Sequence, residues 1–320
     1  MIVASSPGNG ADRTVTVAAP SVSIVIPTFS RPERLRACLD ALTRIDCDAP
    51  FEVIVVDDGS TAPVAGVVDA FRDRLDLRLT RQSRAGPGPA RNRGAAMARA
   101  PFLAFIDDDC VAVPTWLSTL LRALQRDPDV LLGGRVVNAL DGNPYADASD
   151  RVWQYVYEYN RTAAARERFF TTNNMAVATS AFLSHGGFTD AIPSRTAEDK
   201  EFCDRWIARG GRLTFVPDAV VHHAHDLTFA RFLRQHFGYG RGILAFRLMR
   251  RRRNGARLVP EPLRFYTGLV ASPLRDGRGG RRWRAVLLIA AAQAATVAGA
   301  LREALAAPRR RTDPDIPAAV

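Results

Sequence analysis

FEVIVVDD (residues 51–58) and PFLAFIDDD (residues 101–109) decide the fold, because each is a short apolar run that stops at consecutive aspartates. Such runs are typical of buried strands in an open α/β sheet, where ligands bind at the edge formed by the carboxyl ends of the strands. A later acidic pair, Glu198 and Asp199, adds two more carboxylates. Clustered carboxylates repel one another unless a cation or a hydrogen-bonding ligand lies between them. The sequence therefore predicts a metal-dependent site for a phosphorylated substrate.

Strand and helix patterns alternate on both sides of these runs. Apolar runs predict strands at residues 22–28, 51–57, 77–79, 101–107 and 130–137, and helical spacing predicts helices at 32–42, within 85–100 and at 114–124. This alternation predicts an α/β fold with a Rossmann-like, mostly parallel central sheet flanked by helices. A dinucleotide-binding domain is disfavoured, because IPTFSRPERL (residues 26–35) follows the first strand without the glycines of that fingerprint.

Composition indicates a globular chain, either one large domain or a domain with an appendage. The 320 residues are 47% hydrophobic and 24% charged, which supplies ample material for a core. The four cysteines have no metal-ligand spacing, which favours a reduced, cytoplasmic setting over a disulfide framework. Residues 1–20 lack the basic start and sustained apolar run of a secretory signal, and we expect a flexible leader there.

The net charge of +11 is concentrated in the last part of the chain. From residue 226 onward there are 19 arginines and only 6 acidic residues, so residues 1–225 are close to neutral. A basic segment can serve an anionic membrane surface, nucleic acid, or solubility alone. We expect a peripheral membrane contact and no nucleic-acid partner, and a soluble basic helical hairpin is the alternative.

Apolar periodicity in this basic region supports the membrane interpretation. Phe229, Phe232, Leu233 and Phe237 recur at helical spacing with arginines between them, which predicts an amphipathic helix beside a bilayer. AVLLIAAAQAATVAGAL (residues 285–301) is flanked by arginines and falls a little short of the roughly 20 apolar residues of a spanning helix. We expect it to lie at the interface or to pack on the protein, with a true span as the less favoured alternative.

Seven motifs, in one order, carry a resemblance to a known family. They are SIVIPTFSRPERLRACLDAL (23–42), EVIVVDDGST (52–61), GPGPARNRG (86–94), FLAFIDDDC (102–110), TTNNMAVATSAFLSHGGF (171–188), AEDKEFCDRW (197–206) and FVPDAVVHH (215–223). Together they resemble the family 2 inverting glycosyltransferases, which have the GT-A fold. The resemblance covers residues 21–225 and implies a GT-A domain there. From charge and periodicity we expect a basic helical region at 226–307 and a disordered tail at 308–320.

The resemblance also implies where the nucleoside of a sugar donor binds. The family holds it at the end of the first strand and at the DDGS turn, which are Pro27, Thr28, Asp57 and Asp58 here. A carboxylate suits an imino N–H or ribose hydroxyls, because it accepts hydrogen bonds without donating them. One of the two aspartates could instead cap the following turn. The expected donor is a nucleoside-diphosphate sugar linked to UDP, GDP or dTDP.

The family's D-x-D motif maps onto Asp107 and Asp109. Mg²⁺ or Mn²⁺ bound there would compensate the charge of the donor diphosphate. Asp109 is the preferred direct ligand, Asp107 is expected to contact ribose, or the metal through water, and Asp108 is interpreted as structural. His223 matches a histidine common in the family and is the third candidate ligand, although the neighbouring His222 and His225 leave the register open.

The acidic pair at the start of AEDKEFCDRW matches the motif that supplies the family's catalytic base, which maps that role to Asp199. A carboxylate within hydrogen-bond reach can take the proton of an acceptor hydroxyl as the new bond forms. The alternative is that Glu198 and Asp199 are only favourable first-turn acids of a helix. Donor contacts are expected from Arg91, Asn173, Asn174 and Glu198. The aromatic residues 153, 155, 157 and 159 are interpreted as sugar-packing, core or membrane contacts.

These inferences predict an inverting transferase that moves a sugar to a hydroxyl of a saccharide or lipid-linked acceptor in cell-envelope glycan synthesis, at the cytoplasmic face of the cell membrane. Two other functions stay open. One is a nucleotidyltransferase of similar fold, which would release pyrophosphate, and the other is a catalytically silent sugar-nucleotide or nucleic-acid binder.

Overall fold

The computed structural model describes residues 19–62, 64–140, 142–160, 168–192, 196–255, 257–276 and 280–306. The predicted leader lies outside this part of the chain except for residues 19 and 20, and the predicted tail at 308–320 lies wholly outside it. The strands are β1 (Val22–Thr28), β2 (Phe51–Asp57), β3 (Asp76–Arg81), β4 (Phe102–Phe105), β5 (Cys110–Ala112), β6 (Val130–Asn138), β7 (Met175–Ala178) and β8 (Arg212–His223). The helices are α1 (Pro32–Leu42), α2 (Ala65–Asp69), α3 (Pro87–Ala96), α4 (Trp116–Arg126), α5 (Pro144–Asn160), α6 (Thr179–Ser184), α7 (Glu198–Ala208), α8 (Phe229–Asn254), α9 (Leu263–Ala271), α10 (Pro273–Asp276) and α11 (Gly280–Ala306).

Within the described residues the eight strands form one mixed sheet in the order β3-β2-β1-β4-β7-β6-β8-β5. The half that runs from β3 to β4 is entirely parallel, as the sequence predicts. Strand β7 is antiparallel to both of its neighbours, and the short β5 pairs antiparallel with β8. Residues 215–221, which the sequence predicts as a strand that ends before the histidines, lie within β8. Strands β5 and β7 were not predicted, because they are only three and four residues long, too short for a distinct apolar run.

Helices cover both faces of the sheet, which confirms the predicted layering. Every residue of β1 is buried, and its side chains alternate between two cores. Ile24 and Ile26 pack with α1, α2 and α4, whereas Val25 packs with α3, α6 and α7. A strand buried on both faces has a continuous apolar run, which explains why these strands were recognisable from the sequence.

Helix α3 lies unusually close to the sheet because of Gly94. A Cβ at this position would lie 2.4 Å from Cγ1 of Val25, so any larger residue would push the helix away from β1. The close approach carries Arg91, one turn earlier on α3, into the interior beside the ends of β1 and β4.

The C-terminal helices pack against the sheet domain through α5 and α7. Phe232 of α8 is fully buried and packs with Val152 of α5, Leu269 of α9 and Ile289 of α11. The middle of the apolar face predicted at residues 229–237 is therefore covered by protein, whereas Phe229 at its start is 47% exposed. Helical periodicity identifies an apolar face without telling whether lipid or protein covers it, and here other helices cover Phe232 and Leu233.

Helices α8 and α11 cross at a pair of glycines. A Cβ on Gly240 would lie 1.8 Å from the carbonyl oxygen of Thr296, and one on Gly299 would lie 2.0 Å from the carbonyl oxygen of Phe237. The crossing is reinforced by Arg241, whose Nε lies 3.1 Å from Oε2 of the buried Glu303. The predicted helical segment at 285–301 is thus docked on the protein by one side.

The opposite side of α11 is exposed and apolar. Leu287, Leu301 and Leu305 are 70%, 61% and 76% exposed, and Trp283 and Val297 are exposed as well. Among the described residues, α11 is the one helix that is long and apolar enough to cross a membrane. The core helices of soluble proteins can have the same length and composition. Its outward face therefore remains without a protein partner in the described part of the chain.

Candidate active site

A cavity of about 530 Å³ opens at the carboxyl ends of β1 and β4, and side chains of α5, α7 and α8 complete its wall. The sequence-predicted residues in its lining are Pro27, Thr28, Asp58, Arg91, Asp107, Asp109, Asn173, Glu198, Asp199 and His223. Carboxylates from three separate motifs therefore face one space. Asp57 and Asn174, which were also predicted, are not in the lining.

The two aspartates of the DDGS turn have different roles. Oδ1 of Asp57 accepts a hydrogen bond from the backbone N–H of Ser60 at 2.8 Å, which is the turn-capping alternative. Oδ1 of Asp58 accepts from the backbone N–H of Ala85 and Oδ2 from that of Gly86, both at 2.8 Å. Asp58 thereby fixes the loop before α3 while it lines the cavity. Of the pair, Asp58 lines the cavity and Asp57 does not.

Asp108 points away from the cavity and joins two strand ends. It is fully buried, and its Oδ2 accepts a hydrogen bond from Oγ1 of Thr28 at 2.7 Å. Burial raises the pKa of Asp108 to about 7, although the guanidinium of Arg31, at 2.9 Å, opposes this shift. The interpretation of Asp108 as a structural residue fits these contacts.

Asp109 lies at the centre of a charged group in the same cavity. Its Oδ2 accepts a hydrogen bond from Nη1 of Arg31 at 2.6 Å, and its Oδ1 lies 3.3 Å from Nε2 of His223. Burial works to raise the pKa of Asp109, but His223 and Arg31 outweigh it and hold the pKa well below its usual range. Arg31 was missed in the sequence, because an arginine after a strand carries no signal distinct from a solvated charge.

The residues around Asp109 fit a divalent cation. Oδ1 of Asp109 is buried and faces Nε2 of His223 at 3.3 Å, so these two atoms could both be ligands of a cation placed between them. His223, and the partly exposed carboxylate of Asp107, line the same space. Sγ of Cys110 also lies within 4.8 Å of the ligand atoms of Asp109 and His223. Burial raises the pKa of this thiol well above its ordinary value, so it stays protonated and is a poor ligand for a hard cation.

The histidines that follow β8 differ in position. His223 and His225 line the cavity, and their ring centres are 4.9 Å apart, whereas His222 is not in the lining. Burial opposes protonation of His223, but its bond to Asp109 prevails and raises the pKa. Burial lowers the pKa of His225 to about 4, so this ring is neutral at physiological pH.

Arg91 connects the D-x-D motif to the acidic pair of α7. Its side chain is 3% exposed; Nη2 lies 2.5 Å from Oδ1 of Asp107, and Nη1 lies 3.2 Å from Oε1 of Glu198. These carboxylates raise the pKa of Arg91 even though burial opposes it, so the guanidinium stays charged. A buried cation between two carboxylates holds the two motifs at a fixed separation.

Glu198 and Asp199 occupy the first turn of α7, directly after a residue with a left-handed backbone. Ala197 has φ of 70°, a conformation that costs an L-residue roughly 1–2 kcal/mol. Burial and then repulsion from Asp199 raise the pKa of Glu198 to about 7, and burial also raises the pKa of Asp199. A carboxyl with a raised pKa accepts a proton more readily, which is the property required of a general base.

Of the neighbouring Asn173 and Asn174, as of Asp57 and Asp58, one lines the cavity and the other does not. The amide of Asn174 is consumed inside the protein, because its Oδ1 accepts from Nε1 of Trp116 and its Nδ2 donates to the carbonyls of Arg135 and Ala219, all at 2.9 Å. The predicted sugar contact of Asn174 is therefore contradicted. Asn173 lines the cavity, and its Oδ1 accepts a hydrogen bond from Oγ1 of Thr171 at 2.7 Å.

The sequence left the role of the aromatic residues of α5 open and did not identify the other residues of this part of the cavity wall. Trp153 and Tyr157 of α5 face the cavity one helical turn apart, while Tyr155 and Tyr159 pack against Phe265 instead. Asp150 on the same helix also lines the cavity, and burial raises its pKa to about 6. Helix α8 completes the wall with Gln235, Tyr239 and Ile243. Each of these residues is part of an ordinary amphipathic helix, and only the packing of α5 and α8 turns them toward the site.

Comparisons with known proteins agree with this architecture. The family model for glycosyl transferase family 2 matches residues 23–185, about half of the chain. Hyaluronan synthase of Pasteurella multocida is 26% identical over 236 residues, which cover 63% of this chain and 24% of the synthase. Pre-mycofactocin glycosyltransferase of Mycobacterium tuberculosis is 28% identical over 224 residues, which cover 68% of this chain and 46% of that protein. The chain thus spans about a quarter and about half of these two relatives.

A solved structure extends the comparison to the whole fold. The mannosyltransferase PcManGT from Pyrobaculum calidifontis, in complex with GDP-Man and Mn²⁺, has a TM-score of 0.63 and 18% sequence identity, with 90% of this chain and 88% of that chain covered. An alignment over 90% of the chain extends beyond residue 185 and includes the part in which Glu198, Asp199 and His223 lie. The predicted resemblance is confirmed: the chain belongs to glycosyltransferase family 2 and has the GT-A fold.

Proposed function

We propose that this protein is an inverting glycosyltransferase that moves a sugar from a nucleoside-diphosphate sugar to an acceptor hydroxyl with the aid of Mg²⁺ or Mn²⁺. The observation that carries the proposal is that Asp109 and Asp199 line one cavity, with Arg91 bridging their two motifs. A solved neighbour of the same fold holds GDP-Man and Mn²⁺, which supports a nucleotide-sugar donor and a divalent ion in general terms.

The roles of the residues follow from their positions. Pro27, Thr28 and Asp58 would bind the nucleoside at the end of β1. Asp109, with His223 and Asp107, would hold the divalent ion, which when bound compensates the charge of the departing diphosphate. Trp153 and Tyr157 offer aromatic faces for a sugar ring.

Asp199 would remove the proton from the acceptor hydroxyl as the new glycosidic bond forms. One displacement on the face opposite the leaving diphosphate inverts the anomeric centre and needs only one base. Glu198 is held by Arg91 and is not available for that task, so it would position the start of α7 and contact the donor.

Membrane attachment is the second part of the proposal, and it rests on α11. Its exposed leucines form an apolar face, and Arg281 and Arg284 precede that face while Arg302 lies near its end. Such a face with flanking cations suits the surface of an anionic bilayer. The protein would then act at the inner face of the cell membrane on a saccharide or lipid-linked acceptor of the cell envelope.

One experiment tests the catalytic part. The protein is incubated with Mn²⁺ and a panel of UDP-, GDP- and dTDP-sugars, and released nucleoside diphosphate and pyrophosphate are both quantified. Release of nucleoside diphosphate by the wild type, lost in Asp199→Asn, supports sugar transfer. Release of pyrophosphate, or of neither product with any donor, contradicts it.

The membrane part is tested by co-sedimentation with vesicles of phosphatidylglycerol or phosphatidylcholine. We expect binding to the anionic vesicles and a clear loss of binding for the double variant Leu287→Gln, Leu305→Gln. Two outcomes would contradict a role for this face. One is that the wild type sediments equally with both lipids, and the other is that the variant sediments with the anionic vesicles as well as the wild type does.

A further inference from the structure

A second cavity, of about 710 Å³, lies between the start of α1 and the first half of α8. The two spaces adjoin along a common wall, which consists of Arg31, Asp109, Thr196, His225, Gln235 and Tyr239. The roles proposed above leave this second space unused. A molecule bound there can extend one end toward Asp109 and Asp199.

The second cavity is lined by three arginines that have no carboxylate partner among the described residues. Arg34 comes from α1, and Arg231 and Arg234 come from α8, where a spacing of three places them on one side of the helix. Two acidic residues, Glu33 and Asp226, also line this cavity. In the described part of the chain neither of them lies within ion-pair distance of these three arginines or of Arg31, which lines the same cavity.

Three other arginines of α8 form ion pairs with acidic residues of neighbouring helices. Arg241 pairs with Glu303, Arg250 lies 3.0 Å from Oδ1 of Asp204, and Arg253 lies 2.7 Å from Oε1 of Glu201. These pairs fasten the helix to its neighbours. Arg34, Arg231 and Arg234 differ from these arginines, because they line a cavity and form no ion pair with a described carboxylate.

Uncommitted guanidinium groups that face a common space repel one another unless an anion lies between them. Arginine matches phosphate oxygens with two parallel N–H donors, and three such forks suit a group with three terminal oxygens. A phosphate monoester also carries close to two negative charges near neutral pH, whereas a carboxylate carries one, so the phosphate compensates three guanidinium groups more fully. The chemistry of the cleft therefore favours a phosphate ester.

We propose that the acceptor carries a phosphate group, and that Arg34, Arg231 and Arg234 bind it. This inference rests on the proposed function, since it assigns the second substrate of the same reaction. With its phosphate in the second cavity, the acceptor directs its hydroxyl into the first cavity, where Asp199 takes the proton. The phosphate belongs to either a lipid carrier or a soluble phosphorylated molecule, because both offer the same group.

Calorimetric titration with octyl phosphate and with inorganic phosphate tests the site. The wild type should bind octyl phosphate saturably, and the double variant Arg231→Gln, Arg234→Gln should bind it at least roughly tenfold more weakly, as expected when charge-assisted hydrogen bonds are removed. Arg34→Gln should weaken binding as well. Tighter binding of octyl phosphate than of inorganic phosphate assigns the site to a lipid carrier, and equal binding assigns it to a soluble phosphate; both outcomes support the site.

Arg36→Gln is the matched control, because Arg36 is exposed on the same helix as Arg34 and lines neither cavity. An equal loss of affinity in Arg36→Gln would mean that phosphate responds only to general charge and would overturn the proposal. Failure of the wild type to bind either phosphate probe would also overturn it.

Titration of UDP and GDP with Mn²⁺ on the same variants separates this inference from the proposed function. Nucleotide binding that is retained in the double variant supports a distinct acceptor site. Nucleotide binding that is lost along with octyl phosphate would assign the arginines to the donor and overturn the inference. If the wild type binds octyl phosphate through these arginines but binds no nucleotide, the proposed function fails while the anion site stands.

Discussion

Arg91 and Glu198 are 107 residues apart in the sequence, and their side chains meet at 3.2 Å in the wall of the cavity. The same guanidinium holds Asp107, so a single buried cation organises carboxylates from two motifs. The side chain of Arg91 thus fixes the start of α7, and with it Asp199, relative to the end of β4.

Arg91→Met should destabilise the protein by about 3–5 kcal/mol, because removing one partner leaves buried carboxylates uncompensated. Urea denaturation measures this loss. The double variant Arg91→Met, Glu198→Gln should recover part of it, since one of the stranded charges is then absent. Arg72→Met, at an exposed pair with Asp69, is the control and should change stability little.

Asp199→Asn should lower turnover by roughly 10²-fold or more while donor binding is retained, because the amide cannot accept the proton of the acceptor hydroxyl. Steady-state rates and nucleotide titration of the same preparation check both halves. Asp73→Asn is a suitable control, as Asp73 is exposed and lies outside the cavity. A variant with wild-type turnover would remove Asp199 from the mechanism.

Asp109→Ala should weaken the Mn²⁺-dependent part of donor binding, since it removes a buried carboxylate that lines the cavity beside His223. Calorimetry of UDP and GDP with and without Mn²⁺ isolates that part. The increment due to Mn²⁺ should fall markedly in the variant. An unchanged increment would show that the ion binds elsewhere.

The pKa of Glu198, raised to about 7, predicts a pH dependence of stability. Between about pH 4.5 and pH 7 the folded protein holds a proton that the unfolded chain has released, so the free energy of unfolding falls as the pH rises through this interval. Glu198→Gln should lessen the fall measured by urea denaturation at successive pH values. Some slope should remain, because Asp108 shifts in the same direction. Superimposable profiles would contradict the assignment.

Gly240→Val should loosen α11, because its side chain would collide with the backbone of Thr296. Overpacking of this kind typically costs about 1–3 kcal/mol. Limited proteolysis should cleave the variant sooner within the C-terminal helices. Gly66→Ala in α2 adds a Cβ with nothing within 4 Å and should not alter the cleavage pattern.

The sequence predicted the parallel half of the sheet well, because its strands are largely buried and two of them stop at acidic residues. It predicted the second half less well. Strand β7 is four residues long and runs against its neighbours. Of β8 only residues 215–221 were recognised, because its first positions are mostly exposed and form no apolar run. Pairing with distant strands, and not local preference, determines these elements.

The candidate site shows the same limit. Motifs identified Asp58, Asp109 and Asp199, since acidic residues at element ends stand out in a sequence. They could not separate the two members of a neighbouring pair, as Asn173 and Asn174 illustrate: one faces the cavity, and the other is enclosed by three hydrogen bonds. Such a distinction depends on which way a short turn directs each side chain.

Helix α8 supplies Gln235, Tyr239 and Ile243 to the cavity, although it lies beyond both the matched family region and the predicted boundary at residue 225. A chimera that exchanges this helix with that of another family member would consequently inherit a different recognition surface along with its new C-terminal region. Substrate preference in such hybrids should follow the origin of α8 even when every acidic motif is left untouched.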